Sequence, residues 1–193
     1  MKTLTIILFV FLFFVVTNSS VAQFGRSSFA FNIGAYVPTG KIDGYNYKVG
    51  FNLGAEYEDC IYPAALFVNA TFNMTRLKFT DNASRYVVSS NSSLFELTGG
   101  ARYYLSKGKV KPFADVSLGV YVNNRSAYSD SLFKYDSDTQ TRMGGNTGIG
   151  VAIFLNPNLD LLLKTKFHFF FVNRDGVDVN NYAGFYAGLK YSF

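Results

Sequence analysis

The stretch that decides the fold of this chain is "LTGGARYYLSKGKVKPFADVSLGVYV", residues 97–122. On both sides of its Lys107-Gly108-Lys109 centre, one set of alternate positions is mostly apolar, and the set between them holds the charged and hydroxyl side chains. Alternation with period two indicates a β-strand whose two faces differ chemically. A short Gly-containing connection between two such runs indicates a turn. The stretch is therefore predicted to form a β-hairpin.

The same alternation recurs along the chain and predicts eight strands, while no segment has a helical period. The predicted strands lie near Ser27–Val37, Tyr47–Glu58, Ala64–Thr75, Ser92–Ser106, Val110–Asn123, Met143–Leu155, Leu159–Val172 and the C-terminal Asn181–Phe193. Their connections alternate between tight turns and longer polar loops, notably 76–91 and 124–142. An even number of strands with short turns at one rim and longer loops at the other is typical of a transmembrane β-barrel.

The N-terminal segment is predicted to be a removed signal peptide covering residues 1–22. Lys2 precedes an apolar run from Leu4 to Val16, and small residues follow, with Ala22 and Gln23 flanking the predicted cleavage site. The run is too short for a membrane-spanning helix, which needs about 20 residues, and its flanks are those of an export signal. The alternative is an N-terminal anchor helix. We expect residues 23–193 to form a single outer-membrane β-barrel domain.

Composition narrows the function classes. The chain has 21 Phe, 14 Tyr and 17 Gly, and its net charge of +5 falls by one when Lys2 is removed with the signal. This mild excess contains no dense basic run and does not suggest nucleic-acid binding. Cys60 is the only cysteine, so an intramolecular disulfide is excluded, and a lone thiol is expected to be a partly buried bystander.

The two faces of the predicted strands distinguish a membrane barrel from a soluble lipocalin-type barrel, which is apolar inside and wet outside. The apolar face here is the larger one and is nearly free of charge. In water it would form an exposed patch far beyond what soluble proteins tolerate. In a bilayer it is the required surface, and closing the barrel satisfies every backbone polar group. A lipid-facing Lys or Arg at mid-depth would cost about 2–4 kcal/mol, and none occurs in the mid-strand outward set.

Three segments carry a resemblance to a known family: "FNIGAYVPTG" (31–40), the central hairpin quoted above, and "AGLKYSF" (187–193). In their order and spacing they resemble the small outer-membrane β-barrels of the OmpA/OmpX-like type. The resemblance covers about Phe24 to Phe193. It implies an eight-stranded, antiparallel, up-and-down, porin-like barrel in the outer membrane of a Gram-negative bacterium. It also implies contact with outer-membrane lipid and lipopolysaccharide, and we expect a monomer. The alternating Leu189, Tyr191 and Phe193 resemble the signal by which the barrel-assembly machinery recognises its clients.

Taking the polar face as inward, we predict a lumen filled by paired charges. The predicted lumen network is Glu56, Glu96, Arg102, Asp115, Lys164, Lys166 and Lys190, with Asp160 near the rim. Centring the hairpin on its turn places Arg102 beside Asp115, and Lys164 and Lys166 lie across from Gly150 and Gly148. An unpaired charge in a narrow interior would be costly, so we expect a closed, charge-paired plug. The alternative is a gated path for ions or solutes.

An enzyme is not expected. His168 is the only histidine and is predicted to be a hydrogen-bonded lumen residue. Outer-membrane acyl hydrolases and acyltransferases of this architecture use a His with a nearby Ser, but Phe170 stands two positions on, and no Gly-x-Ser-x-Gly motif occurs. One His and one distant Cys do not make a metal site, and no cofactor is predicted.

Variable function is expected in the loops, because they ride on a rigid scaffold. The aromatic and β-branched residues of Arg76–Ser90 and Ala127–Asp138 suggest that these loops extend their strands into protruding hairpins. An extracellular partner at loops 76–91 and 124–142 could add a strand to such a hairpin. The favoured function is therefore a structural or surface-interaction protein. The alternative is a narrow channel or transporter for small or apolar solutes, and a membrane-embedded lipid-modifying enzyme comes last.

Overall fold

The computed structural model describes residues 26–39, 45–81, 86–126, 128–129, 134–135, 137–171 and 181–193. The predicted signal peptide and its cleavage site at Ala22 and Gln23 lie outside these residues, and their assignment stays a prediction. Within the described ranges, no helix has the length and apolar character needed to cross a membrane.

Eight long strands form one antiparallel sheet. They are β1 (Arg26–Pro38), β2 (Gly50–Ile61), β3 (Ala64–Asp81), β4 (Tyr86–Tyr104), β5 (Val110–Arg125), β6 (Asp138–Asn156), β7 (Leu159–Phe170) and β8 (Tyr182–Ser192). A short segment, Tyr45–Tyr47, pairs with Leu77–Phe79 just before β2. A second short pair joins Tyr128–Ser129 to Lys134–Tyr135.

The sheet closes on itself. Each strand pairs with its neighbours in the chain, and β1 pairs with β8 from Ser28↔Ser192 to Pro38↔Tyr182. Closure leaves none of the eight strands at an open edge, which is the condition for a β-structure to span lipid. The predicted fold, a closed eight-stranded antiparallel barrel, is confirmed.

The two ends of the barrel differ. One end, here named the turn rim, carries the short turns at 62–63, 105–109 and 157–158. The first residues of β1 and the last residues of β8 also lie there. The opposite end, the loop rim, carries the longer connections 39–49, 126–137 and 171–181, and the end of the β3–β4 hairpin, whose strands are separated by residues 82–85. The two rims lie where the sequence predicts them, but β3 and β4 continue into the segment that was expected to be a long loop.

Side chains alternate between the outer surface and the lumen as predicted. On β1, Ile33 is 56% exposed and its neighbour Asn32 is 1% exposed. The outward set is dominated by large apolar residues, among them Phe31, Phe51, Leu66, Phe72, Leu118, Ile149 and Phe185. The inward set holds the buried charges and amides, together with aromatic side chains such as Phe67, Phe113 and Tyr121. The core of this protein is therefore the mixed polar and aromatic interior of the barrel.

Two hairpins are longer than their alternating segments indicate. β3 and β4 stay paired from Arg76↔Asn91 to Asp81↔Tyr86, well past the predicted ends at Thr75 and Ser92. β5 and β6 stay paired as far as Arg125↔Asp138. One of the extra pairs, Phe79↔Val88, consists of residue types that are common in strands. Both hairpins therefore project at the loop rim, as the loop composition suggested.

Candidate functional site

Among the described residues, a dense group of charged side chains lies inside the barrel, around Arg102 of β4. Its guanidinium lies 2.8 Å from Glu56 Oε1 and 2.9 Å from Asp115 Oδ2, and it also forms an ion pair with Glu58. The same group stacks over the Phe113 ring, 4.2 Å from its centroid. A guanidinium suits this position because its fork of donors can serve several carboxylates at once.

Two lysines bridge this cluster to other walls of the barrel. Lys164 Nζ, on β7, lies 2.6 Å from Glu56 Oε2 on β2. Lys190 Nζ, on β8, lies 3.1 Å from Glu58 Oε1 and donates a 2.8 Å hydrogen bond to the hydroxyl of Tyr104. We name the group Glu56, Glu58, Arg102, Asp115, Lys164 and Lys190 the ionic layer.

The remaining predicted lumen charges flank the ionic layer. Lys166 is buried, with Nζ 3.9 Å from Asp115 Oδ2 and 4.6 Å from the centroid of the Phe67 ring. Asp160 lies at the turn rim, where Lys111 Nζ approaches one of its oxygens at 3.1 Å. Glu96 lies closer to the loop rim and takes part in a second cluster.

Sequence reasoning missed one member of the ionic layer, Glu58. Its side chain is 1% exposed and accepts hydrogen bonds from Arg102, Tyr104 and Lys190. The predicted second strand ended at this residue, so it was assigned to neither face. The period-two pattern itself carried the signal, because Glu58 follows Glu56 by two positions. Adding Glu58 to the predicted network of Glu56, Glu96, Asp115 and the four cations gives four acids and four bases.

A second cluster occupies the half of the lumen nearer the loop rim. Glu96 Oε2 accepts a 2.8 Å hydrogen bond from the Tyr182 hydroxyl and lies 3.1 Å from His168 Nδ1. The His168 ring stacks on Tyr182 at 4.0 Å, and its Nε2 lies 3.2 Å from the Tyr186 hydroxyl. The Tyr121 hydroxyl completes the group, 3.4 Å from His168 Nδ1. We name Glu96, Tyr121, His168, Tyr182 and Tyr186 the aromatic layer.

Glycines on β6 make room for these side chains. Lys164 pairs with Gly150 and Lys166 with Gly148, the register expected from the sequence. A Cβ atom on Gly150 would lie 2.4 Å from Phe113 Cζ, and one on Gly148 would lie 2.5 Å from Asp115 Oδ1. The absent side chains therefore admit the aromatic ring and the lysine stems.

Both layers span the full width of the barrel. Strands β4 and β8 face each other across the ring of eight, and the Tyr104–Lys190 and Glu96–Tyr182 hydrogen bonds both join these two walls. A barrel of this size is just wide enough for its interior to be filled by side chains. This arrangement can hold the lumen shut at two separate levels.

The other residues singled out in the sequence lie outside the two layers or, in the case of His168, lack the partners of an enzyme site. Leu189, Tyr191 and Phe193 point outward and are half exposed or more. Cys60 is a half-buried free thiol at the turn rim. Neither of the ring nitrogens of His168 has a Ser partner among the hydrogen bonds of the described residues. Within those residues, no group of three or more His, Cys, Asp or Glu side chains is arranged to hold a metal ion.

Comparison with known proteins finds likeness in structure alone. No family model and no curated protein matches the sequence. Neisserial surface protein A superposes with a TM-score of 0.62 at 16% identity, over 86% of this chain and 97% of that one. OprG from Pseudomonas aeruginosa gives a TM-score of 0.56 at 12% identity, over 88% of this chain and 94% of that one.

A third structural neighbour is Ail, the attachment invasion locus protein of Yersinia pestis, in its complex with the heparin analogue sucrose octasulfate. It gives a TM-score of 0.54 at 16% identity, over 88% of this chain and 99% of that one. At these identities the likeness concerns the fold. The chain has the fold of the small, eight-stranded outer-membrane barrels.

Proposed function

We propose that this protein is an integral outer-membrane barrel with a closed lumen, which acts as a structural or surface-interaction protein through its two protruding hairpins. The short turns face the periplasm and the loop rim faces outward, as is usual for such barrels. The partner binds at loops 76–91 and 124–142. That Ail, which has the same fold, is an attachment protein supports this proposal.

The observation that carries the proposal is the filling of the lumen. Side chains from opposite walls meet at Tyr104–Lys190 and again at Glu96–Tyr182. Opening a path would require breaking the buried ion pairs of Arg102, and removing one partner of a buried pair costs about 3–5 kcal/mol. Because side chains fill the interior, the paired backbone that projects at the loop rim is the part of the barrel that is available to a partner.

Export and assembly complete the proposal. Residues 1–22 direct export and are cleaved between Ala22 and Gln23. The exposed Leu189, Tyr191 and Phe193 are then read by the barrel-assembly machinery before they face lipid and lipopolysaccharide. Phe193→Ser should reduce the folded barrel in cells far more than it reduces refolding in detergent. Equal effects in the two settings would leave the packing role alone, and a heat-dependent shift in gel migration measures the folded fraction in both.

Conductance in planar bilayers tests the closed lumen. The purified, folded barrel should give no reproducible conductance steps. Regular steps in the unmodified protein would contradict the closed plug and favour the narrow-channel alternative. An outer-membrane fraction without a heat-shifted band, with the protein soluble in the periplasm, would contradict the membrane placement itself.

Replacing each protruding hairpin by a short turn tests the surface role. The strand register determines which residues can be replaced. Residues 78–89 are replaced by Asn-Gly, so that the Leu77↔Ser90 pair closes on a two-residue turn, a connection that suits antiparallel strands. The matched variant replaces residues 126–137 by Asn-Gly beyond the Arg125↔Asp138 pair. Both variants should keep the heat shift of the barrel.

We expect the first replacement to reduce binding of whole cells to surfaces or host factors more than the second, because it removes the longer paired ladder. Binding that neither replacement changes would contradict the recognition role and leave the structural one.

A further inference from the structure

The turn rim carries a concave site that the closed lumen does not explain. Between the ionic layer and the turn rim lies a cavity of about 530 Å3, here named the vestibule. This volume lies in the range of small-molecule sites. Its floor includes Glu58, Tyr104 and Lys190, and its mouth lies among Tyr62, Lys107 and the 157–158 turn. It therefore opens away from the loop-rim hairpins.

The lining of the vestibule carries more positive than negative charge. Its cations are Arg26, Lys107, Lys111 and Lys190, and its acids are Glu58 and Asp160. Both acids already have partners, because Lys190 meets Glu58 at 3.1 Å and Lys111 meets Asp160 at 3.1 Å. These pairs leave Arg26 and Lys107 as the excess positive charge of the lining.

The two excess cations lie at the mouth of the vestibule. Among the described residues, neither forms an ion pair with a carboxylate. Arg26 Nη1 donates a 3.1 Å hydrogen bond to the carbonyl of Pro157, which leaves its other donors available. Lys107 Nζ lies 4.5 Å above the Tyr62 ring. Deeper in the vestibule, Ser28 is 2% exposed, and its hydroxyl has no hydrogen-bond partner among the described residues. A cationic mouth above a buried, unpartnered hydroxyl suits a ligand that accepts hydrogen bonds.

We infer that the vestibule is a binding site for a small polyanion that carries phosphate or carboxylate groups. Arg26 and Lys107 attract and hold the charge at the mouth, and the Ser28 hydroxyl donates to the ligand from below. A cleft with an excess of one sign of charge concentrates ligands of the opposite sign. If the turn rim faces the periplasm, the ligand is drawn from that compartment.

Cys60 supplies a reporter for the test, because it lines the vestibule and is the only cysteine of the chain. The folded barrel in detergent is treated with two methanethiosulfonate reagents, one carrying a sulfonate and one a quaternary ammonium group. Their rates on Cys60 are divided by their rates on a small free thiol. We expect the sulfonate reagent to be favoured about tenfold in low salt, and less so at about 0.15 M salt, where charges are screened beyond about 8 Å.

The double variant Arg26→Gln/Lys107→Gln should abolish this preference at about 0.15 M salt. Lys109→Gln is the matched control, because Lys109 is an exposed lysine of the same turn that does not line the vestibule. It should keep the preference within about twofold, since screening at that salt concentration weakens charges outside the cavity. A preference that is absent, or that the double variant and the control reduce equally, would overturn the inference.

Ligand protection gives the second arm of the test. Pyrophosphate and citrate represent the two anion classes, and chloride at the same ionic strength is the reference. Slower labelling of Cys60 by a neutral methanethiosulfonate in either polyanion, lost in the double variant, would support the site and identify the preferred class. Unchanged labelling in both, or no reaction of Cys60 at all, would overturn it. The outcome does not depend on whether the hairpins bind a partner.

Discussion

The ionic layer and the aromatic layer close the same lumen with different chemistry. In the ionic layer, Arg102 alone contacts three carboxylates, and Lys164 and Lys190 share two of those carboxylates. In the aromatic layer, the single carboxylate of Glu96 meets His168 and the hydroxyl of Tyr182. A layer of shared charges depends on each member, whereas a layer of stacked rings keeps most of its contacts when one hydrogen bond is lost.

The largest expected effect follows from removing the shared cation. Arg102→Met keeps an apolar stem but leaves Glu56, Glu58 and Asp115 with a deficit of positive charge in a buried site. The free energy of unfolding should fall by about 3–5 kcal/mol. Urea unfolding of the barrel in detergent, followed by the heat-dependent gel shift, measures this loss.

Two further variants show whether the loss is electrostatic. Lys109→Met removes an exposed cation and should stay within about 0.5 kcal/mol of the unmodified protein. Adding Asp115→Asn to Arg102→Met should cost less than the sum of the two single changes, because the second change removes one of the carboxylates that lost its guanidinium partner in the first. Strict additivity would show that the carboxylates around Arg102 do not act as one unit.

The sequence predicts the features of this fold that depend on residues close together in the chain, and it does not predict contacts between residues far apart in the chain. The period-two alternation predicts the eight strands and their faces, because facing lipid or lumen is imposed on each residue locally. Centring the hairpin on Pro157 also predicts the pairing of Lys164 with Gly150, and the structure reaches that register through the Leu159↔Asn156 pair followed by a bulge between Leu159 and Asp160. The contact of Lys190 with Glu58 joins residues 132 positions apart, and side-chain reach across the lumen is not encoded in any local pattern.

The length of the protruding β3–β4 hairpin is a second feature that the sequence pattern does not predict. The segment around Phe79 and Val88 alternates poorly in sequence, so its composition suggested a hairpin without fixing its length. Pairing continues to Asp81↔Tyr86 because each added pair extends an existing ladder. No local sequence pattern predicts the vestibule either, since its lining comes from β1, β2, the five strands β4 to β8 and the three short turns of the turn rim.

Close packing, as well as charge, is expected to contribute to the stability of the ionic layer. Gly150→Ala would place a Cβ 2.4 Å from Phe113 Cζ and 2.6 Å from the backbone oxygen of Leu163. Overpacking of this kind should lower the free energy of unfolding by about 1–3 kcal/mol. Gly99→Ala is the matched control on the outer face, where the nearest atom is 3.8 Å away. If the two variants unfold at the same urea concentration, the layer is loosely packed and its stability comes from charge alone.

The smallest effect is expected in the aromatic layer. Tyr182→Phe removes the hydroxyl that donates to Glu96 but keeps the ring stacked on His168 at 4.0 Å. Because Glu96 retains the contact with His168 Nδ1, the free energy of unfolding should fall by about 0.5–1.5 kcal/mol, the usual worth of one hydrogen bond. Tyr103→Phe, on the exposed outer face, should change nothing measurable. A loss for Tyr182→Phe as large as that for Arg102→Met would mean that Glu96 depends on one donor as strictly as the carboxylates around Arg102 depend on theirs, and the contrast between the two layers would fail.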